Sequence, residues 1–156
     1  MSLPQPHERI IDLYLQQELL MARLYTMYAN FYEEEREFWL SMAQEELEHA
    51  GWVKLLKEQA IRGAVAFSEG KTRTYTLASM VEYLEKTIST FGCGDFSHTQ
   101  ALSVALDLEK SLIEKQVFQH FAGDGVETKK ILALLNDGQD HHLRRLQEYA
   151  RQKRSN

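Results

Sequence analysis

Apolar residues recur along this chain in alternating steps of three and four, the pattern of helices that bury one face. The first such run, from about Pro6 to Glu34, carries the seam Ile11, Leu15, Glu18, Ala22, Tyr25, Ala29 and Tyr32. The second, from about Arg36 to Arg62, carries Trp39, Met42, Glu46, His49, Val53, Leu56 and Ala60. A third opens at Ser97 or Thr99 and runs to about Ala122, with Leu102, Leu106 (or Ala105), Glu109, Ile113 (or Leu112), Gln116 and His120. The fourth covers about Val126 to Lys153, with Leu132, Leu135, Gln139, His142, Leu146 and Tyr149. Each run predicts a long helix, about 40 Å for the first at 1.5 Å per residue.

The breaks between runs are as informative. The acidic cluster Glu33 to Glu37 interrupts the apolar pattern and predicts a short turn. It also sets acids near the start of the next helix, where the helix dipole favours them. Gly63 is a natural stop for the second helix. Ala64 to Thr76 has no sustained period and reads as a loop, after which Thr76 caps a shorter helix, Leu77 to Phe91. Gly92-Cys93-Gly94-Asp95 closes that piece, and Gly123-Asp124-Gly125 makes the last turn. Pro4 and Pro6 are the only prolines, so nothing further along is barred from helix.

The seams contain residues that do not belong in a dry core. Glu46 and His49, three apart and therefore on one helix face, hold two consecutive seam positions. Gln139 and His142 repeat the spacing in the fourth helix, and Glu18 and Glu109 sit mid-seam in the first and third. Glu18 precedes Glu46 by 28 residues and Glu109 precedes Gln139 by 30. The chain thus reads as two helical hairpins, each with ligand-type residues halfway down. Joined by a long crossover containing the short helix, they make an all-α four-helix bundle occupying residues 1–156 as one domain. The polar positions then fall at one height.

Composition narrows the classes. The 156 residues are 44% hydrophobic and 26% charged, as in a globular fold with a sizeable core. Net charge is −5, and the basic residues Arg144, Arg145, Arg151, Lys153 and Arg154 gather at a helix C-terminus that favours cations, which argues against a nucleic-acid partner. No stretch approaches the roughly 18 apolar residues of a membrane span, and the N-terminus lacks a signal-peptide pattern; a cytoplasmic protein is expected. A single Cys93 excludes an intramolecular disulfide and any four-cysteine metal centre.

Three carboxylates in an apolar core repel one another and take up protons unless something neutralises them. Two divalent metals would do so. Carboxylate oxygens with one imidazole per metal suit iron or manganese better than structural zinc. A glutamate from each of two helices plus Glu-x-x-His from each of the other two is the ligand pattern of carboxylate-bridged two-metal bundles. Glu18, Glu109 and Glu46/His49 fit it; Gln139/His142 fits with one ligand changed.

On these residues the chain resembles the ferritin-like superfamily, and within it the rubrerythrin-type di-iron proteins. The resemblance rests on Gln44-Glu45-Glu46-Leu47-Glu48-His49 and Ala105-Leu106-Asp107-Leu108-Glu109-Lys110, supported by Glu18 and by Asp140-His141-His142-Leu143. It implies Glu46 and Glu109 as bridging or terminal ligands, Glu18 as a terminal one, and His49 and His142 as imidazole ligands. The implied chemistry is oxidation of ferrous iron, or reduction of peroxide or oxygen, at two irons. The resemblance also implies a homodimer, with Tyr28, Phe31 or the crossover helix as candidate surface. Rubrerythrins proper append a rubredoxin domain, which one cysteine cannot build, so electrons must come from an external donor or from ferrous iron itself. Four carboxylates would neutralise two ferrous ions; with Gln139 in place of the fourth, three leave a residual positive charge. An amide oxygen ligates more weakly, so a weaker second site beside His142 is expected. Two further classes stay open: iron binding or storage without turnover, and a degenerate bundle serving as scaffold or regulator. Of the remaining residues, His7, His98 and His141 are expected to face solvent, His120 to be structural, Tyr25 to serve packing, and Cys93 to be incidental.

Overall fold

The computed structural model describes residues 6–67, 74–115 and 121–155. Among them the chain is all-α apart from one short strand pair. The helices are α1 (Pro6–Phe31), α2 (Arg36–Ile61), α3 (Thr74–Cys93), α4 (His98–Lys115) and α5 (Val126–Ser155). A single 3-10 turn, Glu33–Glu35, joins α1 to α2, as the acidic cluster predicts. None of these helices is long and apolar enough to cross a membrane.

Local chemistry explains the ends. Gly63 adopts φ +77°, a left-handed conformation that side chains disfavour. Its N–H donates to the Ala60 carbonyl at 3.0 Å, and the Ala64 N–H donates to that of Gln59 at 2.9 Å. These two bonds satisfy the carbonyls that the last turn of α2 leaves open. At the start of α4 a reciprocal cap forms. The Ser97 N–H donates to Gln100 Oε1 at 2.8 Å, and the Gln100 N–H to Ser97 Oγ at 3.2 Å.

Two elements differ from the sequence expectation. The segment Ala64 to Thr76, expected as loop, contains strand β1 (Ala66–Phe67), and α3 begins at Thr74 rather than Leu77. The third helix, expected to reach Ala122, stops at Lys115 among the described residues. Phe121–Ala122 instead forms β2, antiparallel to β1 with Ala66 opposite Ala122. Two-residue strands carry no periodicity, so the seam pattern could not reveal them. Gln116 and His120 lie outside the described residues.

The helix α1 packs along α2 and along α3, while α5 packs on both α2 and α4. Because α1 has two neighbours, it buries two stripes. One is the expected seam; the other is Ile10, Tyr14, Gln17, Met21, Leu24 and Tyr28. Tyr28 is therefore interior and offers no dimer surface, whereas Phe31 is half exposed.

The apolar interior falls into two clusters. One gathers Leu24, Trp39, Met42, Leu84, Ala105 and Leu146; the other gathers Ile11, Tyr14, Val53, Leu56, Ile131 and Leu135. Along α1 the switch from one cluster to the other falls between Tyr14 and Met21, along α2 between Ala43 and Val53, and along α5 between Leu135 and Leu146. Glu18, Glu46, His49 and His142 occupy those gaps, so a charged layer divides the core. Truncating either cluster leaves a void. Leu24→Ala, at a fully buried position, is expected to lower stability by about 3 kcal/mol, read from the midpoint of urea unfolding.

Candidate metal centre

Five of the expected site residues, Glu18, Glu46, His49, Glu109 and His142, are buried. They come from α1, α2, α4 and α5. Gln139 belongs to α5, but its side chain lies outside the described residues.

The centre of the layer is Glu46 with the two imidazoles. The rings of His49 and His142 stack at 4.4 Å with 14° between planes. His142 Nδ1 lies 3.0 Å from Glu46 Oε1 and 4.0 Å from Glu109 Oε1. His49 Nδ1 lies 3.5 Å from Glu18 Oε2. One ligand atom each from Glu46, His49 and His142 falls within 4.8 Å of the others, and this buried group could hold a metal ion. Glu18 and Glu109 flank it. The Tyr25 hydroxyl donates to Glu109 Oε1 at 2.6 Å, so Tyr25 holds a carboxylate as well as packing, where packing alone was expected.

A glycine shapes the site. A Cβ on Gly138 would lie 2.5 Å from His49 Cε1 and closer still to Nε2. The imidazole of α2 thus rests against the backbone of α5, where no side chain fits. This accounts for a helix-interior glycine that otherwise costs about 1 kcal/mol relative to alanine. It also turns the Nδ1 edge of His49 to the carboxylates.

Sequence reasoning missed two participants. Glu45, next to Glu46, places Oε2 3.1 Å from His142 Nε2 on the outer side of the ring. Its other oxygen accepts from Arg145, which also donates to Ser41 Oγ at 2.8 Å and lies over the Phe38 ring. Exposed His141 approaches the same carboxylate at 3.7 Å. Gln17 is buried with both amide atoms unpartnered. Gln17 belongs to the second stripe of α1, which only the packing of α3 reveals, and Glu45 lies off the seam. His98, expected at the surface, is partly buried and accepts a hydrogen bond from Trp39 Nε1 at 2.9 Å.

Electrostatics show how the layer distributes its charge. Burial drives the Glu46 carboxyl well above the usual carboxylate range, and the charge of Glu18 adds to this. Burial also raises Glu109. Burial acts the same way on Glu18, but hydrogen bonds with His49 and Glu46 outweigh it and hold that carboxyl low. Burial alone would lower His142, yet the Glu46 charge and the close approach of the Glu45 and Glu46 carboxylates push it up to about 11. His142 is thus held protonated by its carboxylate neighbours and supplies the positive charge that they need.

The residues fit a metal on two grounds. Glu46 Oε1 is buried without a hydrogen-bond partner, although His142 Nδ1 is only 3.0 Å away. Two ligand atoms about 2.1 Å from one ion, at right angles, would stand about 3.0 Å apart. The donor set, carboxylate oxygens and imidazole nitrogens, suits a divalent transition metal. The chain matches no family model, no curated protein and no solved structure.

Metal binding should be sensitive to the Gly138 contact. Gly138→Ala is expected to weaken metal affinity at least tenfold by displacing His49, the scale set by losing one oriented ligand. Gly51→Ala, where a Cβ meets nothing within 4 Å, should leave affinity unchanged and stabilise the fold by about 0.5–1 kcal/mol. Metal titrations and urea melts of the two variants check this pair.

Protonation gives a second expectation. A base with a raised pKa in the folded state contributes stability below its unfolded value that is lost as pH rises through the folded one. The His142 contribution is thus complete below pH 6.5 and lost toward about 11. Raised Glu46 acts in the same direction from 4.5 upward, while lowered Glu18 acts only as pH falls below 4.5. The metal-free protein should lose thermal stability as pH rises from 6.5 to 11. Added metal should flatten that slope and release protons at pH 7, because it displaces the proton that His142 holds. Melting temperatures across pH and dye-reported proton release measure both.

Proposed function

We propose that this protein is a two-metal carboxylate protein of rubrerythrin type, built as a ferritin-like four-helix bundle, that oxidises ferrous iron or reduces peroxide or oxygen in its core. The carrying observation is the pair Glu46 Oε1 and His142 Nδ1, buried and 3.0 Å apart, with an oxygen that no hydrogen bond satisfies. The layer crosses α1, α2, α4 and α5, the helices whose seams carry the paired ligand pattern.

Bound ferrous ions would supply the electrons that peroxide or oxygen accepts. The chain's own part is binding, orientation and exclusion of water. Glu46, His49 and His142 would form the shared centre, with Glu18 beside His49 and Glu109 beside His142. Tyr25 fixes one Glu109 oxygen, and its hydroxyl stays protonated because burial and the Glu109 charge raise it well above its ordinary range. Glu45 stands 3.1 Å from the outer nitrogen of His142, with Nδ1 facing Glu46. The two apolar clusters close the layer from both ends.

A metal-free scaffold is the second reading, and one observation favours it. His142 lies between Glu45 and Glu46, within 3.1 Å of each, so the protonated layer is already a closed set of charges.

Metal analysis of protein purified without added metal, followed by anaerobic loading with ferrous iron and exposure to air or peroxide, separates the readings. Stoichiometric iron, near-ultraviolet absorbance after oxidation and peroxide loss support the two-metal reading. In that case Glu46→Gln is expected to reduce iron binding by about tenfold or more, as removal of a charged ligand should. No bound iron, together with no metal-dependent rise in melting temperature, selects the scaffold.

A further inference from the structure

A second site lies outside the charged layer. A cavity of about 300 Å³ opens between α1, α3 and α4. Its wall is apolar and aromatic: Tyr28, Phe91, Phe96, Ala101 and Val104. Polar groups stand at its mouth, among them Lys86, Thr87 and Gln100. Gln100 commits its amide oxygen to the Ser97 N–H, which leaves its NH₂ as a donor. The mouth therefore offers an ammonium and an amide donor over an apolar floor.

The floor of this cavity connects to the charged layer through rings alone. Tyr28 meets Phe91 edge-on at 4.8 Å and Trp39 at 4.9 Å. Trp39 meets Tyr25 at 5.3 Å, and the Tyr25 hydroxyl touches Glu109 at 2.6 Å. Tyr25, Tyr28 and Trp39 are all buried. Tyrosine and tryptophan are the side chains whose rings most readily lose an electron. An unbroken file of them, from a cavity to a carboxylate of a metal site, is a route for electrons.

We propose that the cavity binds a small hydroquinone, and that Tyr28, Trp39 and Tyr25 pass its electrons to the Glu109 side of the charged layer. The proposal rests on the two-metal reading and names the donor that reading requires. Size and chemistry select the ligand class. About 300 Å³ is the low end of small-molecule sites and suits one ring system rather than a dinucleotide. The aromatic floor suits a flat ring. The donors at the mouth suit oxygen substituents without demanding a full negative charge. The reaction balances: the hydroquinone's two O–H bonds break, and two electrons enter the ring file while two protons leave to solvent, giving the quinone. Hydrogen peroxide takes up two electrons and two protons, its O–O bond breaks, and two waters form.

The test begins with metal-free protein and tetramethyl-1,4-benzoquinone, whose blocked ring carbons spare the exposed Cys93 thiol. Calorimetric titration is expected to show saturable binding. Ala101→Trp should fill the cavity and weaken that binding about tenfold or more. Thr90→Trp, at the exposed rim, does the same without entering the core. Absence of binding, binding that survives both substitutions, or binding of decanoate in preference to the quinone overturns the proposal. The second arm uses iron-loaded protein, peroxide and tetramethylhydroquinone. Trp39→Phe, outside the cavity wall, keeps a ring but not its ease of oxidation, and should slow hydroquinone oxidation about tenfold with quinone affinity unchanged. Tyr28→Phe should slow it as well, and unchanged rates in both variants overturn the relay. Peroxide consumption with dithionite but not with hydroquinone overturns the donor site. Consumption with neither overturns the two-metal reading instead, while the metal-free titration still decides the cavity.

Discussion

A layer of buried charge is the constraint on which this structure depends. Glu18, Glu46, Glu109, His49 and His142 stand where leucines would serve stability better. Each carboxylate pays a desolvation penalty, and the neighbouring negative charges raise it. The layer holds together because positive charge is supplied within it. A protonated His142 supplies it, and a bound divalent ion would do the same. Above and below the layer the buried apolar residues pack as two separate clusters.

The layer also sets how closely the helices approach. His49 reaches across from α2 until its ring meets the backbone of α5, and only glycine at 138 leaves the space. His142 reaches the other way, its ring stacked on that of His49 and its two nitrogens toward Glu46 and Glu45. Arg145 then ties the outer carboxylate to Ser41 of α2. The contact between α2 and α5 is thus polar at its centre, with geometry fixed by direction as well as by volume. Polar networks of this kind specify one arrangement of helices where apolar surfaces alone would tolerate several.

The helix α3 changes what α1 has to do. Packed on α1, it demands a second buried stripe, and that stripe brings Tyr28 inward beside Trp39 and Phe91. The same packing leaves Gln17 buried next to Glu18 with its amide unpartnered, adding a further polar group at the height of the charged layer. The inward turn of Tyr28 and the cavity beside it are products of this second neighbour.

Periodicity by itself determined the helices, the turns at the acidic cluster and at Gly63, and the five buried site residues. It could do so because a charge on an apolar stripe is visible in one dimension. It could not show the β1–β2 pair, which is too short to have a period, nor the second stripe of α1, whose meaning depends on α3 lying against it. Glu45, Tyr25 and His98 were legible only as residue types. Their roles depend on which atoms of other helices they meet: His142 Nε2, Glu109 Oε1 and Trp39 Nε1. Gly138 shows the division most plainly. A glycine inside a helix is costly wherever it stands, and only the packing of α2 on α5 supplied the imidazole that requires it. Spacing places a side chain on a face of its own helix; distance and direction to the next helix belong to the tertiary structure.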